Sequence, residues 1–236
     1  MRSINTLMKT CDLISIILPV HNQADHIAEV VSRFDLALSH ILCRYELILV
    51  SNACRDDSAD ICRGLARSCE HVRAIESREG GWGRAVRVGL RESTGNLLAY
   101  TNTARTTPAL LAMLVLHAVV NPNCVVKTTR LGRSGLRLLG STAYNFECKL
   151  LFQVPSWDVN GTPKIFPRSF EKLLTLSRND DLIDLEFMKI CRHEAYPVVE
   201  IPVYSESRHG GDSTTRLNSA FNLYYGAYRM WREKNK

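Results

Sequence analysis

Four short polar segments, each following an apolar run, hold most of the side chains that could recognise a small polar ligand. They are Pro19-Val20-His21-Asn22, Ser51-Asn52-Ala53-Cys54-Arg55-Asp56, Gly80-Gly81-Trp82-Gly83-Arg84 and Thr101-Asn102-Thr103-Ala104-Arg105. Small residues, hydroxyls and amides at such places suit hydrogen bonding to a ligand. The glycines of the third segment let backbone approach a phosphate, with the unpaired N–H groups of a following helix facing the negative charge. A tight turn requiring positive φ explains the same glycines equally well. A dinucleotide fingerprint is disfavoured, because Val86 occupies the third glycine's place and the motif follows the third apolar run rather than the first. A separate group, Asp180, Asp181, Asp184 and Glu186, places carboxylates on one helical stretch.

The elements that position these segments follow from periodicity. LISIILPV (13–20), YELILVS (45–51), HVRAIES (71–77) and NLLAYT (96–101) have strand length, and helical patterns fill about Gln23 to Leu42, Asp56 to Cys69 and Gly83 to Glu92 between them. Strands that are apolar throughout are covered on both faces, which predicts a parallel sheet. In such a sheet ligands bind beyond the carboxyl ends of the strands, where the four polar segments lie. The second half adds a helix over Pro108 to Val120, a strand at CVVKTT (124–129) and an amphipathic helix over Leu136 to Phe152. The stripe of that helix is Leu136, Leu139, Ala143, Phe146 and Leu150. A Trp157-Asp158-x-Asn160-Gly161 turn, in which Asp158 closes the bend, leads to TPKIFP (162–167). A helix over Asp180 to Ala195, a strand at YPVVEIPVYS (196–205) and a last helix with Leu217, Phe221, Tyr224, Tyr228 and Trp231 on one face complete the pattern. The expected fold class is α/β, a Rossmann-like mostly parallel sheet flanked by helices. The expected organisation is an extension over 1–12, one domain over 13–216 and an amphipathic C-terminal helix over 217–236.

Composition bounds the partners. The 236 residues are 45% hydrophobic and 23% charged, values that exclude a disordered or collagenous chain. Thirty Lys+Arg against 24 Asp+Glu leave a formal charge of +6, scattered rather than gathered in runs. That suits an anionic small molecule or an acidic membrane surface, and no nucleic-acid partner is expected. The eight cysteines form no Cys-x-x-Cys pair and read as reduced thiols of a cytoplasmic protein. The N-terminus has no apolar core of a secretory signal, and the longest apolar stretch, Ala109 to Val120, is too short to span a bilayer. A cytoplasmic location is expected, or a peripheral one at the inner membrane face.

Taken together in order, the segments resemble the family 2 glycosyltransferases of GT-A fold, particularly the polyprenyl-phosphate sugar transferases of dolichol-phosphate mannose type. IILPVHNQ (16–23) resembles the family's P-x-(Y/H)-N-E, and LILVSNACRDDS (47–58) stands where the family has D-D-G-S-x-D. REGGWGRAVRVGLRESTG (78–95) keeps the spacing of N-x-G-K-G-x-A-x-x-x-G, with Gly81, Gly83, Ala85, Gly89 and Gly95 in register. WDVNGTPKIFPR (157–168) resembles D-x-x-(S/N)-G-x-x-x-F, and EIPVYSESRHGGDSTTR (200–216) resembles the E-(V/I)-P-(V/I) ending with its R-x-x-G-x-S-K loop.

The resemblance implies inverting transfer of a sugar from a UDP- or GDP-linked donor to a hydroxyl or a polyprenyl phosphate. It assigns the donor to Pro19, His21, Asn22, Ser51, Asn52, Asp56, Gly81, Gly83, Arg84, Thr101, Thr103, Arg105, Arg208 and His209. The acceptor side falls to Arg130, Arg133, Asn160 and Gly161. A hydroxyl acceptor needs a general base, for which Asp184 stands first and Glu186 second, whereas a phosphate acceptor needs only cations such as Arg130 and Arg133. Asp180 and Asp181 are read as partners of the helix dipole. The family's acidic D-x-D motif is replaced by Thr101-Asn102-Thr103, and neutral hydroxyls are poor ligands for magnesium or manganese. No metal ligand is therefore assigned, and Arg105 is the candidate that takes the cation's place on the diphosphate. The same loss makes a catalytically inactive, nucleotide-sugar-binding relative the alternative. The C-terminal aromatic face either packs on the domain or lies in a membrane interface.

Overall fold

The computed structural model describes residues 12–41, 43–132, 135–204 and 217–234. In chain order its strands are β1 (Leu13–Val20), β2 (Arg44–Asn52), β3 (Val72–Ser77), β4 (Leu97–Tyr100), β5 (Val125–Leu131), β6 (Lys164–Pro167) and β7 (Val198–Tyr204). Its helices are α1 (Ile27–Ser39), α2 (Ser58–Ser68), α3 (Trp82–Glu92), α4 (Pro108–Val120), α5 (Gly135–Phe152), α6 (Ile183–His193) and α7 (Leu217–Lys234), with a short 3₁₀ turn at Glu171–Thr175. The strands form one sheet in the order β3-β2-β1-β4-β6-β5-β7. β1 to β4 run parallel, β6 runs antiparallel to both β4 and β5, and β7 returns parallel to β5. This is the mostly parallel α/β sheet that the apolar strands predict.

Alternation along each strand divides the core in two. Ile14, Ile16 and Leu18 of β1 join Phe34 of α1 and Leu111 and Leu114 of α4 on one face. Ile17 joins Ala85 and Val86 of α3 and Phe187 of α6 on the other. Helix α3 crosses so close to β1 that a Cβ at Gly89 would lie 2.4 Å from Ile17. Thr107 accepts a hydrogen bond from the Leu110 amide at 3.3 Å and Pro108 occupies the first turn, so α4 starts where its sequence dictates.

Four expectations change. Helix α1 begins at Ile27 rather than near Gln23, because the Gln23 amide is drawn to Ser58 Oγ at 2.7 Å and its carbonyl closes a turn at His26 and Ile27. On α5 the described apolar residues of the expected stripe face solvent, with Leu139, Phe146 and Leu150 68%, 68% and 69% exposed and the Leu136 side chain outside the described residues. The buried side of α5 is instead Tyr144 and Cys148, and the Tyr144 ring meets Tyr224 of α7 edge-on at 5.7 Å. On α7 Ala227 and Met230 are buried and Tyr224 of the predicted face is partly buried against the core, while Tyr228 is exposed and the side chains of Leu217 and Phe221 lie outside the described residues. Six described cysteines are free thiols, and burial pushes Cys62, Cys148 and Cys191 up to about 12. Cys43 is disulfide-bonded, which departs from the expectation of reduced thiols. Among the described residues no helix is long and apolar enough to cross a membrane.

The bends after β1 and β2 both use left-handed backbone, at Asn22 (φ 50°) and Ala53 (φ 48°). Asparagine tolerates this conformation, whereas alanine carries a Cβ penalty. Ala53→Gly is expected to raise the free energy of unfolding by about 1 kcal/mol. A denaturant titration in which the variant is equal to or weaker than the parent rules out strain at this bend.

Candidate active site

The carboxyl ends of β1, β2 and β4 are tied together by side chains of the predicted donor segments. Asn52 donates from Nδ2 to the Val20 carbonyl at 2.8 Å and accepts at Oδ1 from the Gly81 amide at 3.1 Å. His21 Nδ1 donates to the Asn52 carbonyl at 2.7 Å, and Asn22 Oδ1 accepts from the Arg55 amide at 2.8 Å. Ser51 Oγ donates to the Ile75 carbonyl at 3.3 Å, and Pro19 is buried within β1 opposite Val50. Asp56 accepts from the Ala24 amide at 3.0 Å and from the Ser58 hydroxyl at 2.5 Å. Burial alone would raise its carboxyl, but the Ser58 hydroxyl and the Ala24 and Ser58 amides outweigh this and hold it below the usual range.

The place of the acidic motif is a buried hydroxyl pair. Thr101 Oγ1 lies 2.6 Å from Thr106 Oγ1, and Thr103 Oγ1 donates to Gln23 Oε1 at 2.6 Å, both threonines being wholly buried. Asn102, partly exposed, accepts the Ala104 amide at Oδ1 and the Arg105 amide at its carbonyl. Arg105 is half-buried beside it.

The glycine-rich turn is packed closely by protein backbone. Chain 178–180 lies against the start of α3, where the Asn179 carbonyl accepts the Arg84 amide at 3.0 Å. A Cβ on Gly81 would fall 2.3 Å from that carbonyl, and one on Gly83 would fall 2.5 Å from the Arg178 carbonyl. The two glycines therefore answer to close passage of protein backbone, and Gly81 and Arg84 amides are already occupied. Arg84 pairs with Glu79 at 2.5 Å, and its Nε is buried without a hydrogen-bond partner among the described residues.

The carboxylates proposed as bases are both engaged. Asp184 is 4% exposed, pairs with Lys164, and accepts from Tyr100 OH at 2.8 Å and Trp82 Nε1 at 3.3 Å. Glu186 accepts the Ser177 and Arg178 amides at 3.0 and 2.9 Å and the Ser177 hydroxyl at 2.5 Å, which folds chain 177–178 back onto α6. Asp180 bonds the Leu182 amide at 3.2 Å ahead of the helix, so α6 starts three residues later than predicted.

On the expected acceptor side, Arg130 is held bidentately by Asp158, at 2.7 and 2.9 Å, and its amide reaches the same carboxylate at 3.1 Å. Gly161 is required by contact, since a Cβ there would lie 2.0 Å from the Thr128 carbonyl. Asn160 is partly exposed, with its Oδ1 buried and without a hydrogen-bond partner among the described residues. Arg133, Arg208 and His209 lie outside the described residues.

Sequence reasoning passed over a charged row through the sheet. Tyr100, Lys164, Lys127 and Glu200 are register partners on β4, β6, β5 and β7, so their side chains share one face. Both lysines are wholly buried. Lys127 Nζ donates to Glu200 at 2.9 Å, to the Thr128 and Asp158 carbonyls at 2.8 and 2.7 Å and to Ser156 Oγ at 3.2 Å. Burial, with Lys164 adding like charge, pulls Lys127 down to about 8. Burial lowers Lys164 as well, against the pull of Asp184. For Glu200, burial raises the carboxyl, but Lys127 and Ser156 outweigh it and leave it below its usual value. The available signal was one charge inside each apolar strand, in VVKTT, PKIFP and VVEIP, because a charge buried in a sheet demands a partner.

The fold is that of the GT-A glycosyltransferases. The structure superposes on glucosyl-3-phosphoglycerate synthase of Mycobacterium tuberculosis in its complex with UDP with a TM-score of 0.73, at 15% identity, over 98% of this chain and 83% of that one. Its complex with Mn²⁺, UDP and phosphoglyceric acid gives a TM-score of 0.71 at 16% identity, over 97% and 82%. Residues 15–176 match the profile of glycosyl transferase family 2, and the chain belongs to that family. Similar curated relatives are undecaprenyl-phosphate 4-deoxy-4-formamido-L-arabinose transferases. The protein of Pseudomonas fluorescens is 26% identical over 90% of this chain and 63% of its own length. That of Sodalis glossinidius is 26% identical over 91% and 66%. The chain thus spans about two thirds of the length of these relatives.

The buried row makes one demand that pH can read. Glu200 has its carboxyl below the ordinary value of 4.5, so the stability it contributes is present above that value and is lost as pH falls through the depressed one. Glu200→Gln, which leaves Lys127 without its counter-charge, is expected to cost about 3 kcal/mol at pH 7. Urea titrations at a series of pH values should show the gap between parent and variant closing below pH 4.5. A gap that is the same at pH 7 and at pH 3 removes the ion pair as its cause.

Proposed function

We propose that this family 2 glycosyltransferase moves a sugar from a nucleoside-diphosphate donor to the phosphate of a polyprenyl-phosphate acceptor. The reading is carried by the burial of Asp184, 4% exposed and engaged by Lys164, Tyr100 and Trp82, which sets it away from an acceptor hydroxyl arriving from solvent. A phosphate acceptor requires no such base. One of its oxygens attacks the anomeric carbon as the bond to the nucleoside diphosphate breaks on the opposite face, so the configuration inverts and no proton need be removed. The names of the relatives, transferases to undecaprenyl phosphate, support this acceptor class.

In this reading the nucleoside lies over 19–23 and 51–56, and the acceptor phosphate lies toward Arg130, Arg133, Asn160 and Gly161. The neighbouring fold carries Mn²⁺ with UDP. Here the hydroxyls of Thr101 and Thr103, buried and bonded to Thr106 and Gln23, do not fit a divalent cation. Charge on the departing diphosphate is then met by arginine, from Arg84 and Arg105, with Arg208 and His209 as the further candidates the resemblance assigns. The exposed Leu139, Phe146, Leu150 and Trp157 support peripheral contact with the bilayer that carries such an acceptor. The second reading, a nucleotide-sugar-binding relative without catalysis, is favoured by the same neutral Thr101-Asn102-Thr103 segment.

The test is a thermal-shift titration with UDP, GDP and their sugar conjugates, each in EDTA and in Mn²⁺, paired with an assay of transfer to polyprenyl phosphate. Stabilisation in EDTA is expected, worth about 2.7 kcal/mol at a hundred times the dissociation constant, together with transfer that EDTA leaves intact and that Arg105→Ala weakens through donor binding. Stabilisation confined to Mn²⁺ overturns the metal-independent form. Binding without transfer to any acceptor supports the second reading.

A further inference from the structure

Asp184 comes from the first turn of α6, yet its contacts lie on three other elements. One oxygen takes the Lys164 ammonium of β6 and the Tyr100 hydroxyl at the end of β4, and the other takes the indole N–H of Trp82 at 3.3 Å. Trp82 belongs to the glycine-rich turn, and Tyr100 immediately precedes Thr101-Asn102-Thr103. The two rings also meet each other edge-on, with centroids 6.2 Å apart. Trp82 is partly exposed while Asp184, Tyr100 and Lys164 are buried, so the indole N–H ties a surface turn to a point inside the core. A second strut runs parallel to it, where the Asn179 carbonyl, a few residues before Asp184, accepts the Arg84 amide at 3.0 Å.

We propose that Asp184 is a positioning residue for the donor site, setting the separation between the glycine-rich turn and the 101–105 segment by holding Trp82 and Tyr100 on one carboxylate. This rests on the reading of those two segments as the donor side. A buried ion pair is poor support for stability alone, since apolar residues of equal volume often replace one at no loss. Such residues lack directional acceptors for two donors on different segments, and that is the capacity Asp184 supplies. Lys164 pairs with the same oxygen that takes the Tyr100 hydroxyl, and its Nζ in turn lies 5.4 Å from the centroid of the Tyr100 ring.

The experiment uses the full chain with two changes. Trp82→Phe deletes the indole N–H and retains an aromatic ring, and the double variant Asp184→Asn with Lys164→Met removes both charges, so neither is left buried alone. Dissociation constants for UDP and GDP are measured by calorimetry, wild type first, and donor KM, kcat and the pH profile follow with the sugar conjugate of whichever nucleotide binds. Both variants are expected to weaken nucleotide binding and raise donor KM on the order of tenfold, with kcat at saturating donor about unchanged. Should the double variant fail to fold, Trp82→Phe alone carries the comparison. Unchanged nucleotide binding with only a lowered melting temperature overturns the proposal, and so does a fall in kcat at constant KM with loss of the acidic limb of the pH profile, the signature of a base. A wild-type chain that binds neither nucleotide overturns the donor reading itself and this proposal with it, whereas a wild type that binds and variants that bind equally overturn this proposal alone.

Discussion

An ammonium ion enclosed in a β-sheet costs several kcal/mol unless a carboxylate meets it, and this sheet encloses two, on directly opposed residues of β5 and β6. Each has its own counter-ion, Asp184 for Lys164 and Glu200 for Lys127. Like charge between the lysines makes the arrangement intolerant of losing either carboxylate. The second half of the molecule is arranged around that requirement. Helix α6 must lie where Asp184 reaches β6, β7 must pair with β5 so that Glu200 stands beside Lys127, and the 156–161 turn must fold under Lys127 to offer it the Asp158 carbonyl and Ser156.

The consequences reach the polar strand ends through short chains of hydrogen bonds and ion pairs. Lys127 holds the turn that carries Asp158, and Asp158 holds Arg130. Lys164 holds Asp184, and Asp184 holds Trp82 and Tyr100 beside the glycine-rich turn and the 101–105 segment. Around them the strand ends form a network in which His21, Asn22, Asn52, Asp56, Thr101 and Thr103 all find protein partners. Side chains already held by protein partners lose less freedom when a ligand binds. It also explains how a fold that elsewhere accompanies Mn²⁺ can carry threonines at this place, because the hydroxyls satisfy one another within the protein.

Legibility in the sequence varied with the range of the interaction. The parallel strands, the helices between them and the polar segments at the strand ends follow from periodicity and from turn residues acting over a few positions. The family followed from the order of motifs. The apolar neighbours of Asp184, Leu185 and Phe187, announce its burial but are silent about the lysine across the core that pairs with it. The apolar stripe of α5 was legible as a stripe, but the side of the helix that faces inward was settled by Tyr144 packing on Tyr224. The glycines at 81 and 83 were legible as places that reject a side chain, while the group that rejects it, the backbone of 178–180, was not.

By itself the sequence determined the α/β alternation, the burial of β1 and β2 on both faces, the start of α4 at Thr107-Pro108 and membership of the glycosyl transferase family 2. These depend on local spacing or on ordered motifs, both written linearly along the chain. Only the tertiary structure decided which carboxylate neutralises which lysine, across separations of 20 and 73 residues. Those pairings depend on strand order and on the reversal of β6 between β4 and β5. A single-residue slip in register would turn each of these charges to the opposite face of the sheet, so their partners exist only once the register is set.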